Sequence, residues 1–177
     1  QRDLIAGEVS KDIARRKLIP TDIVQAHDSG AIHFHDMDYI IQPMFNCCLV
    51  NMEDMLKNGT VVNGKRIDSP KSFQVACTVM TQIIAQVASG QYGGQSINGV
   101  DRILAPYVRK SYEKYLSQVI EEQEEVYGVE PDMEKAKLVA EHRTRKEVKD
   151  GIQTVQYQIN TLMTTNGQAP FVTLFMH

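Results

Sequence analysis

The sequence predicts a mostly helical protein with a few short core strands. Apolar residues recur three or four positions apart over most of the 177 residues, which is the spacing of helices that pack on one face. Proline, glycine and serine stand where these patterns begin and end. Only three short runs, 31–35, 45–50 and 170–175, have the alternating or continuous apolar pattern of strands.

The composition is that of a soluble globular protein, with 42% hydrophobic and 23% charged residues. A net charge of -3 without a long basic block argues against a nucleic-acid partner. No apolar run approaches the roughly 20 residues that span a bilayer. Three cysteines, two of them adjacent, do not form a disulfide framework. We therefore expect a cytoplasmic protein with no membrane partner and a single domain over 1–177.

Two helices are predicted first. Apolar residues at helical spacing run from Leu4 to Leu18, and Pro20 ends that helix. A second, short helix begins at 20–22 and closes at 29–30. The chain thus starts inside a helical pattern and stops just after a strand-like run, so we expect it to be part of a longer protein.

The stretch 33–51 carries most of the chemistry, with two histidines, two aspartates and two adjacent cysteines. The alternating run before it predicts a strand with His33 and His35 on one face. Two imidazoles beside carboxylates suit zinc or manganese, as in metal-dependent hydrolases. Such a site needs further ligands, which are missing nearby. We therefore predict no metal here and favour hydrogen bonding or contact with a polar substrate.

The run 45–50, bounded by Pro43 and Asn51, predicts a buried strand. Side chains alternate across a strand, so Cys47 and Cys48 should face opposite ways. At most one of them can face a given cavity. The alternative is that both thiols pack in the core, since free cysteine is among the most buried residue types.

The middle of the chain has clear local signals. Residues 52–57 predict a short helix that Asn58 and Gly59 close. Residues 61–67 predict a loop or a tight hairpin around Asn63-Gly64. Ser69 as the N-cap and Pro70 at the first helical position predict the start of the next helix.

The helix that begins at Ser69 should run to Ser89, where Gly90 stops it. One face is apolar, and the other is polar but almost uncharged. A solvated face usually carries lysine and glutamate, so we expect this one to meet another surface. The uncharged face comprises Gln74, Thr78, Thr81, Gln82 and Gln86.

A glycine loop and two long helices follow. Tyr92-Gly93-Gly94 is either a turn between helices or a phosphate cradle, although it lacks the Lys and Ser/Thr of a P-loop. Residues 101–127 and 133–164 predict long helices joined by a short turn, which form an antiparallel hairpin. Residues 170–175 predict a buried strand.

Six motifs, in this order and spread from His33 to Thr173, resemble the anaerobic (class III) ribonucleoside-triphosphate reductases, a family of glycyl-radical enzymes. They are HFHDMDY, FNCCLVN, DSPKS, TQIIAQVASGQYGG, LAPYVRKSYEKY and NTLMTTNGQAPFVT. The resemblance implies an oxidoreductase that makes deoxyribonucleoside triphosphates from ribonucleoside triphosphates. It also implies that this chain is the early part of a ten-stranded α/β barrel, with long helices that form a dimer interface.

The resemblance places the active-site thiol of the family on Cys47, with Cys48 packing behind it. It implies substrate contacts at His33, His35, Asn46 and Asn166. In the family a thiyl radical on a second cysteine removes the ribose 3′ hydrogen, and the 2′-hydroxyl leaves as water. The thiol at the Cys47 position donates a hydrogen atom and joins a transient disulfide radical.

The resemblance also implies cofactors and partners. The parent enzyme carries a glycyl radical, uses formate as reductant, holds a structural zinc and depends on a radical-SAM activating enzyme. The thiyl-forming cysteine, the glycyl-radical segment, the zinc site and the ATP-binding module have no counterpart in this chain. We therefore expect the chain alone to be inactive and to bind none of these cofactors.

The family has a specificity site for a deoxynucleoside triphosphate or ATP effector at the interface of its homodimer. The resemblance places that role on Asp68, Lys71, Gln82 and Lys114. We expect Lys71 to lie in the first turn of a helix, whose N-terminus favours anions. Gln82 lies on the uncharged face, where an amide can recognise a base. Two alternatives remain: a metal-dependent hydrolase built on the HxHD cluster, and a nucleotide-sensing dimerisation module without chemistry of its own.

Overall fold

The structure, a computed structural model, describes residues 2–41, 44–91, 93–163 and 169–177. Its contacts divide the chain into two compact units, 1–45 and 46–177, which are described separately below. The single domain expected from the sequence stays a prediction. No helix in the described ranges is both long enough and apolar enough to cross a membrane.

The first unit contains the two predicted helices. Helix α1 spans Arg2–Ile13 and continues as a π-helical turn over Ala14–Leu18, and α2 spans Thr21–Asp28. A 3₁₀ turn follows at Met37–Tyr39. A small core forms where the buried side chains of Ala14, Ile19 and Met37 pack together.

The strand predicted over 31–35 is wrong, because this segment is irregular. The N–H groups of Ala31 and Ile32 both donate to the carbonyl oxygen of Ala26, at 2.9 and 3.3 Å. The segment therefore folds back onto the end of α2 instead of extending. Asp36 closes it in the left-handed region, with φ 53°.

The second unit contains a small parallel sheet. Its strands are β1 (Cys48–Leu49), β4 (Gln95–Ile97) and β5 (Val172–Leu174), in the order β1-β4-β5. Cys48 is the register partner of Gln95, which in turn pairs with Val172. The central strand β4 was not predicted from the sequence.

The strands predicted as buried are shorter and more exposed than expected. Only Cys48 and Leu49 of the run 45–50 belong to a strand, and Leu49 is 73% exposed. Phe45 is 79% exposed, and Phe171, at the start of the other predicted strand, is 74% exposed. Because β1 and β5 lie at the sheet edges, each packs only in part against the core.

The short local elements agree with the sequence. Helix α3 spans Met52–Lys57, and the Asn51 side chain caps its start. Strands β2 (Thr60–Val62) and β3 (Lys65–Ile67) form an antiparallel hairpin. Asn63 and Gly64 both have positive φ, as a two-residue type I′ turn requires.

Three long helices make up the rest of the unit. Helix α4 spans Phe73–Ser89, α5 spans Val100–Glu121, and α6 spans Met133–Thr161. A π-helical turn at Glu122–Val126 continues α5 almost to the predicted end. As predicted, α5 and α6 pack together as antiparallel neighbours. The Glu122 carboxylate, directly after α5, forms an ion pair with the guanidinium of Arg143, which lies within α6.

Helix α4 begins later than predicted. Ser72, not Ser69, is its N-cap, and the Ser72 hydroxyl accepts from the backbone N–H of Val75. Pro70 therefore lies outside the helix. The predicted end is correct, because Gly90 is the C-cap.

The uncharged face of α4 meets α6 of the same chain. The Gln74 amide donates to the Thr154 hydroxyl at 3.3 Å, and the buried Thr81 hydroxyl contacts the Gln158 side chain. Gln82, on the same face, remains exposed. The fold is therefore mostly helical with a small parallel sheet, and three strands do not by themselves show a ten-stranded barrel.

Candidate functional site

The two adjacent thiols lie in different surroundings. Cys47 is exposed, and its Sγ donates to Asn46 Oδ1 at 3.4 Å. Cys48 is half-buried and packs against the core. Burial raises the pKa of the Cys48 thiol, and the neighbouring Cys47 adds to the shift. Of the pair, Cys47 is the thiol that an incoming molecule can reach.

Two glycines hold the backbone on either side of Cys47. The N–H of Gly93 donates to the carbonyl oxygen of Asn46 at 2.7 Å, and the N–H of Cys48 donates to that of Gly94 at 3.2 Å. A Cβ at Gly93 would lie 2.3 Å from both the backbone oxygen and the Oδ1 of Asn46. The glycine is therefore needed for this close approach. Because the Gly93 N–H is already bonded, it is not free to bind a phosphate, which was the alternative to a plain turn at this loop. Tyr92 lies outside the described residues.

The histidines of the HxHD cluster lie side by side. His33 Nε2 is 3.1 Å from His35 Nδ1, so one ring must donate to the other. The other nitrogen of His35 is 3.2 Å from Asp36 Oδ2. Within the described ranges, no group of three or more His, Cys, Asp or Glu side chains is arranged to hold a metal ion. Asn166, the remaining predicted substrate contact, lies outside the described residues.

The predicted effector residues are brought together only in part. Lys114 lines a cavity of about 490 Å³ at the start of α4, together with Ser72, Arg143 and Lys146. Lys71 is exposed and directly precedes Ser72, so it lies outside the first turn of α4 where we expected it.

Lys71 does not line this cavity, and neither do Asp68 and Gln82, which were predicted to contact the sugar or base. The Asp68 carboxylate is exposed and lies 3.5 Å from Arg66 Nε. Gln82 is exposed on α4. Neither residue is held in place by a buried contact with the cavity wall.

The N-terminus of α4 is already capped by its own N-cap residue, Ser72, and by one side chain each from α5 and α6. Ser111 Oγ of α5 accepts from its first N–H at 2.8 Å, and Glu147 Oε1 of α6 accepts from the second at 2.9 Å. Ser72 Oγ accepts from the third at 3.4 Å. Burial raises the pKa of the nearby Tyr115 phenol, and Glu147 adds to the shift. A phosphate at this cavity would have to be held by side chains, because the helix N–H groups are occupied.

Several residues that build the site were not found from the sequence. Ser111 and Glu147 accept hydrogen bonds from the start of α4, at residues that lie 38 and 73 positions earlier in the chain, respectively. Gln95 bonds to Ile84 of α4 across 11 residues. No local pattern marks such long-range partners.

An exposed thiol beside a parallel strand, with long paired helices next to it, is an arrangement that a reductase using cysteine chemistry could employ. The chain belongs to the anaerobic ribonucleoside-triphosphate reductase family, whose model matches residues 1–177. It is 49% identical over 175 residues to the anaerobic ribonucleoside-triphosphate reductase of Haemophilus influenzae. It is 48% identical over 174 residues to that of Salmonella typhimurium. Each alignment covers 98% of this chain, which spans 23% of the length of these relatives.

A solved structure has the same fold. The chain resembles the anaerobic ribonucleotide reductase from Thermotoga maritima, crystallised in complex with dATP and CTP, with a TM-score of 0.64. The match covers 97% of this chain and 25% of that one, at 12% sequence identity. At this identity the likeness shows the fold alone.

Proposed function

We propose that this chain supplies the substrate-side thiol and part of the effector site of an anaerobic ribonucleoside-triphosphate reductase. Membership of that family supports the reaction class. The observation that carries the proposal is the contrast between the exposed Cys47 and the half-buried Cys48. The reaction takes a ribonucleoside triphosphate and formate to a deoxyribonucleoside triphosphate, carbon dioxide and water.

The role of Cys47 follows from the strength of its S–H bond. A thiol can give a hydrogen atom to a carbon-centred ribose radical, whereas the O–H bond of serine is too strong. As the resemblance implies, the glycyl radical and the thiyl-forming cysteine belong to other parts of the parent enzyme, and formate is the reductant. Cys47 then delivers one hydrogen atom as the 2′-hydroxyl leaves as water, and it shares the resulting sulfur radical with the second cysteine.

The polar residues near the motifs would orient the substrate. Asn46 presents an amide beside the thiol, because its Oδ1 accepts from Cys47 Sγ. His33 and His35 offer a hydrogen-bonded imidazole pair that can bind a hydroxyl or phosphate oxygen. With Asn166, these are the proposed substrate contacts.

Lys114 and Lys71 would hold the phosphates of a deoxynucleoside triphosphate or ATP effector, and Asp68 and Gln82 would contact its sugar and base. The cavity beside Lys114 supports the first part of this proposal. The exposed part of the α4 polar face, which α6 leaves uncovered around Gln82, supports a contact with a second copy of the chain in a homodimer.

The thiol assignment is tested in the full-length reductase. We expect Cys47→Ser to abolish deoxynucleotide formation while the glycyl radical still forms, since the serine O–H cannot donate the hydrogen atom. The matched control is Cys48→Ala, which should retain most of the turnover. Normal turnover in Cys47→Ser, or equal loss in both variants, would show the assignment to be wrong.

The effector site is tested by equilibrium binding of several deoxynucleoside triphosphates, with sedimentation to follow the dimer. Lys71→Ala should weaken binding by roughly 1.5–3 kcal/mol, because it removes a charge-assisted phosphate contact. Gln82→Ala should reduce discrimination between bases. The control is Lys137→Ala, at an exposed α6 position that is not part of the cavity wall. Unchanged affinity in Lys71→Ala, or a monomeric parent enzyme, would contradict the proposed site.

The family assignment does not support the two alternatives, a metal-dependent hydrolase and a module without chemistry. We propose that His33 and His35 hold no metal. Elemental analysis of the purified protein checks this: about one zinc or manganese per chain, lost in His35→Ala, would contradict it.

A further inference from the structure

The side-chain amide of Gln95 joins the central strand of the sheet to helix α4. Gln95 is 1% exposed, and its Nε2 donates to the carbonyl oxygen of Ile84 at 2.8 Å. Its backbone N–H donates to the carbonyl oxygen of Phe171, the residue directly before β5, at 2.9 Å. Gln95 therefore connects α4, β4 and β5 at one buried point.

The amide is an unusual choice for this place. Among the residues that the structure describes, no group donates to the buried Oε1 of Gln95. Burying an acceptor without a donor is unfavourable for folding. A methionine would fill similar space without that cost, so packing alone does not account for the amide. What the amide adds is one directional hydrogen bond to the backbone of α4.

That bond lies directly beside the thiol segment. Gln95 is the register partner of Cys48, and the preceding residue, Gly94, accepts the N–H of Cys48. Gly93, one residue earlier, donates to the carbonyl oxygen of Asn46. The backbone on both sides of Cys47 is thus bonded to the two residues before Gln95. Any shift of β4 along α4 would move the thiol by a similar distance.

We propose that Gln95 is a positioning residue for Cys47, and this inference rests on the proposed function of that thiol. By anchoring β4 to α4, the amide fixes the place from which the thiol delivers its hydrogen atom. Transfer of a hydrogen atom requires close approach, and a misplacement of about 1 Å can lower a rate by roughly a hundredfold. Gln95 itself touches no reacting atom and acts only through the strand.

The test uses the full-length reductase with Gln95→Met, which keeps the bulk and removes the bond. The matched control is Gln156→Met, which replaces an exposed amide on α6. The main measurement is the ratio of deoxynucleotide formed to ribonucleotide consumed, together with the glycyl-radical content and KM. Loss of the anchor should lower this ratio about tenfold or more while KM and radical content stay near the wild-type values.

A purely structural role would give a different result. Reduced stability would lower product formation and substrate consumption together, in proportion to radical content, and leave their ratio unchanged. That outcome, or a ratio in Gln95→Met equal to that of Gln156→Met, would overturn the proposal.

A second variant, Gln95→Glu, applies if the methionine variant does not fold. A protonated carboxyl can donate to the Ile84 carbonyl oxygen, whereas an ionised one cannot. Burial raises a carboxyl pKa, so the ratio should recover in this variant as the pH falls from about 8 to about 6. A ratio that does not change with pH would overturn the proposal. Cys47→Ser is measured in parallel. If Cys47→Ser turns over normally, the proposed function of Cys47 is wrong. If Cys47→Ser is inactive and Gln95→Met is normal, only the positioning role of Gln95 is wrong.

Discussion

Gly151 of α6 lies directly against Phe73 and Cys77 of α4, and its replacement by alanine should destabilise the unit 46–177. A Cβ at this position would lie 2.7 Å from Phe73 Cε1 and 3.1 Å from Cys77 Sγ. Both side chains are buried, so neither can swing away. Overpacking a core costs about 1–3 kcal/mol, and a contact this short belongs at the upper end. Alanine gains about 1 kcal/mol in helix propensity, which leaves a net loss of roughly 1–2 kcal/mol.

Native-state hydrogen exchange of the α6 amides measures this loss, because it reports the opening free energy of that unit by itself. Gly7→Ala is the matched control: a Cβ there meets only Asp38 Oδ2, at an ordinary 3.5 Å. The control should stabilise α1 by up to about 1 kcal/mol. Phe73→Leu should recover part of the loss in the Gly151→Ala background. Exchange in Gly151→Ala as slow as in the wild type, or slower, would refute the reasoning.

Three further outcomes are expected. Ser111→Ala should lower the free energy of unfolding in urea by about 1–3 kcal/mol, because it leaves the first N–H of α4 buried and unpaired. Ser72→Ala removes a more exposed cap and should lower it by about 1 kcal/mol. The hydrogen bond from Arg143 holds the pKa of the Glu122 carboxyl below its usual 4.5. The pair therefore stabilises the α5–α6 hairpin above pH 4.5. This stabilisation is lost as the pH falls through the lowered pKa, because the carboxyl is then protonated in the folded protein as well. A pH series of thermal unfolding should show that loss in the wild type but not in Arg143→Gln. Burial raises the pKa of Cys77 to about 12, so iodoacetamide at about pH 8 should leave it unmodified, by mass spectrometry, until the protein unfolds.

The elements that the sequence predicts correctly are those fixed by neighbouring residues. The Asn63-Gly64 hairpin follows from the tolerance of these two residues for positive φ. The end of α4 follows from Gly90. The opposite surroundings of Cys47 and Cys48 follow from strand alternation, although the role of either thiol is untested.

Most of the wrong or missing predictions concern segments whose structure depends on residues far away in the chain. Strand β4 has only three residues, Gln95–Ile97, and exists because β1 and β5 pair with it from both sides. The run 31–35 is a local exception: it alternates as a strand does, yet Ala31 and Ile32 bond back to Ala26 at the end of the preceding helix. Gly151 is ordinary within a helical pattern, and only the position of Phe73 shows that a larger side chain would not fit.

The cap at the start of α4 also has a consequence for the order of folding during synthesis. Its first two N–H groups are bonded by residues that lie 38 and 73 positions apart from them in the chain. Because a ribosome makes the chain from its N-terminus, α4 emerges well before Glu147 does. Its first turn therefore remains frayed until α5 and α6 have been made and close on it. The cavity wall beside Lys114 is thus among the last parts of this unit to form.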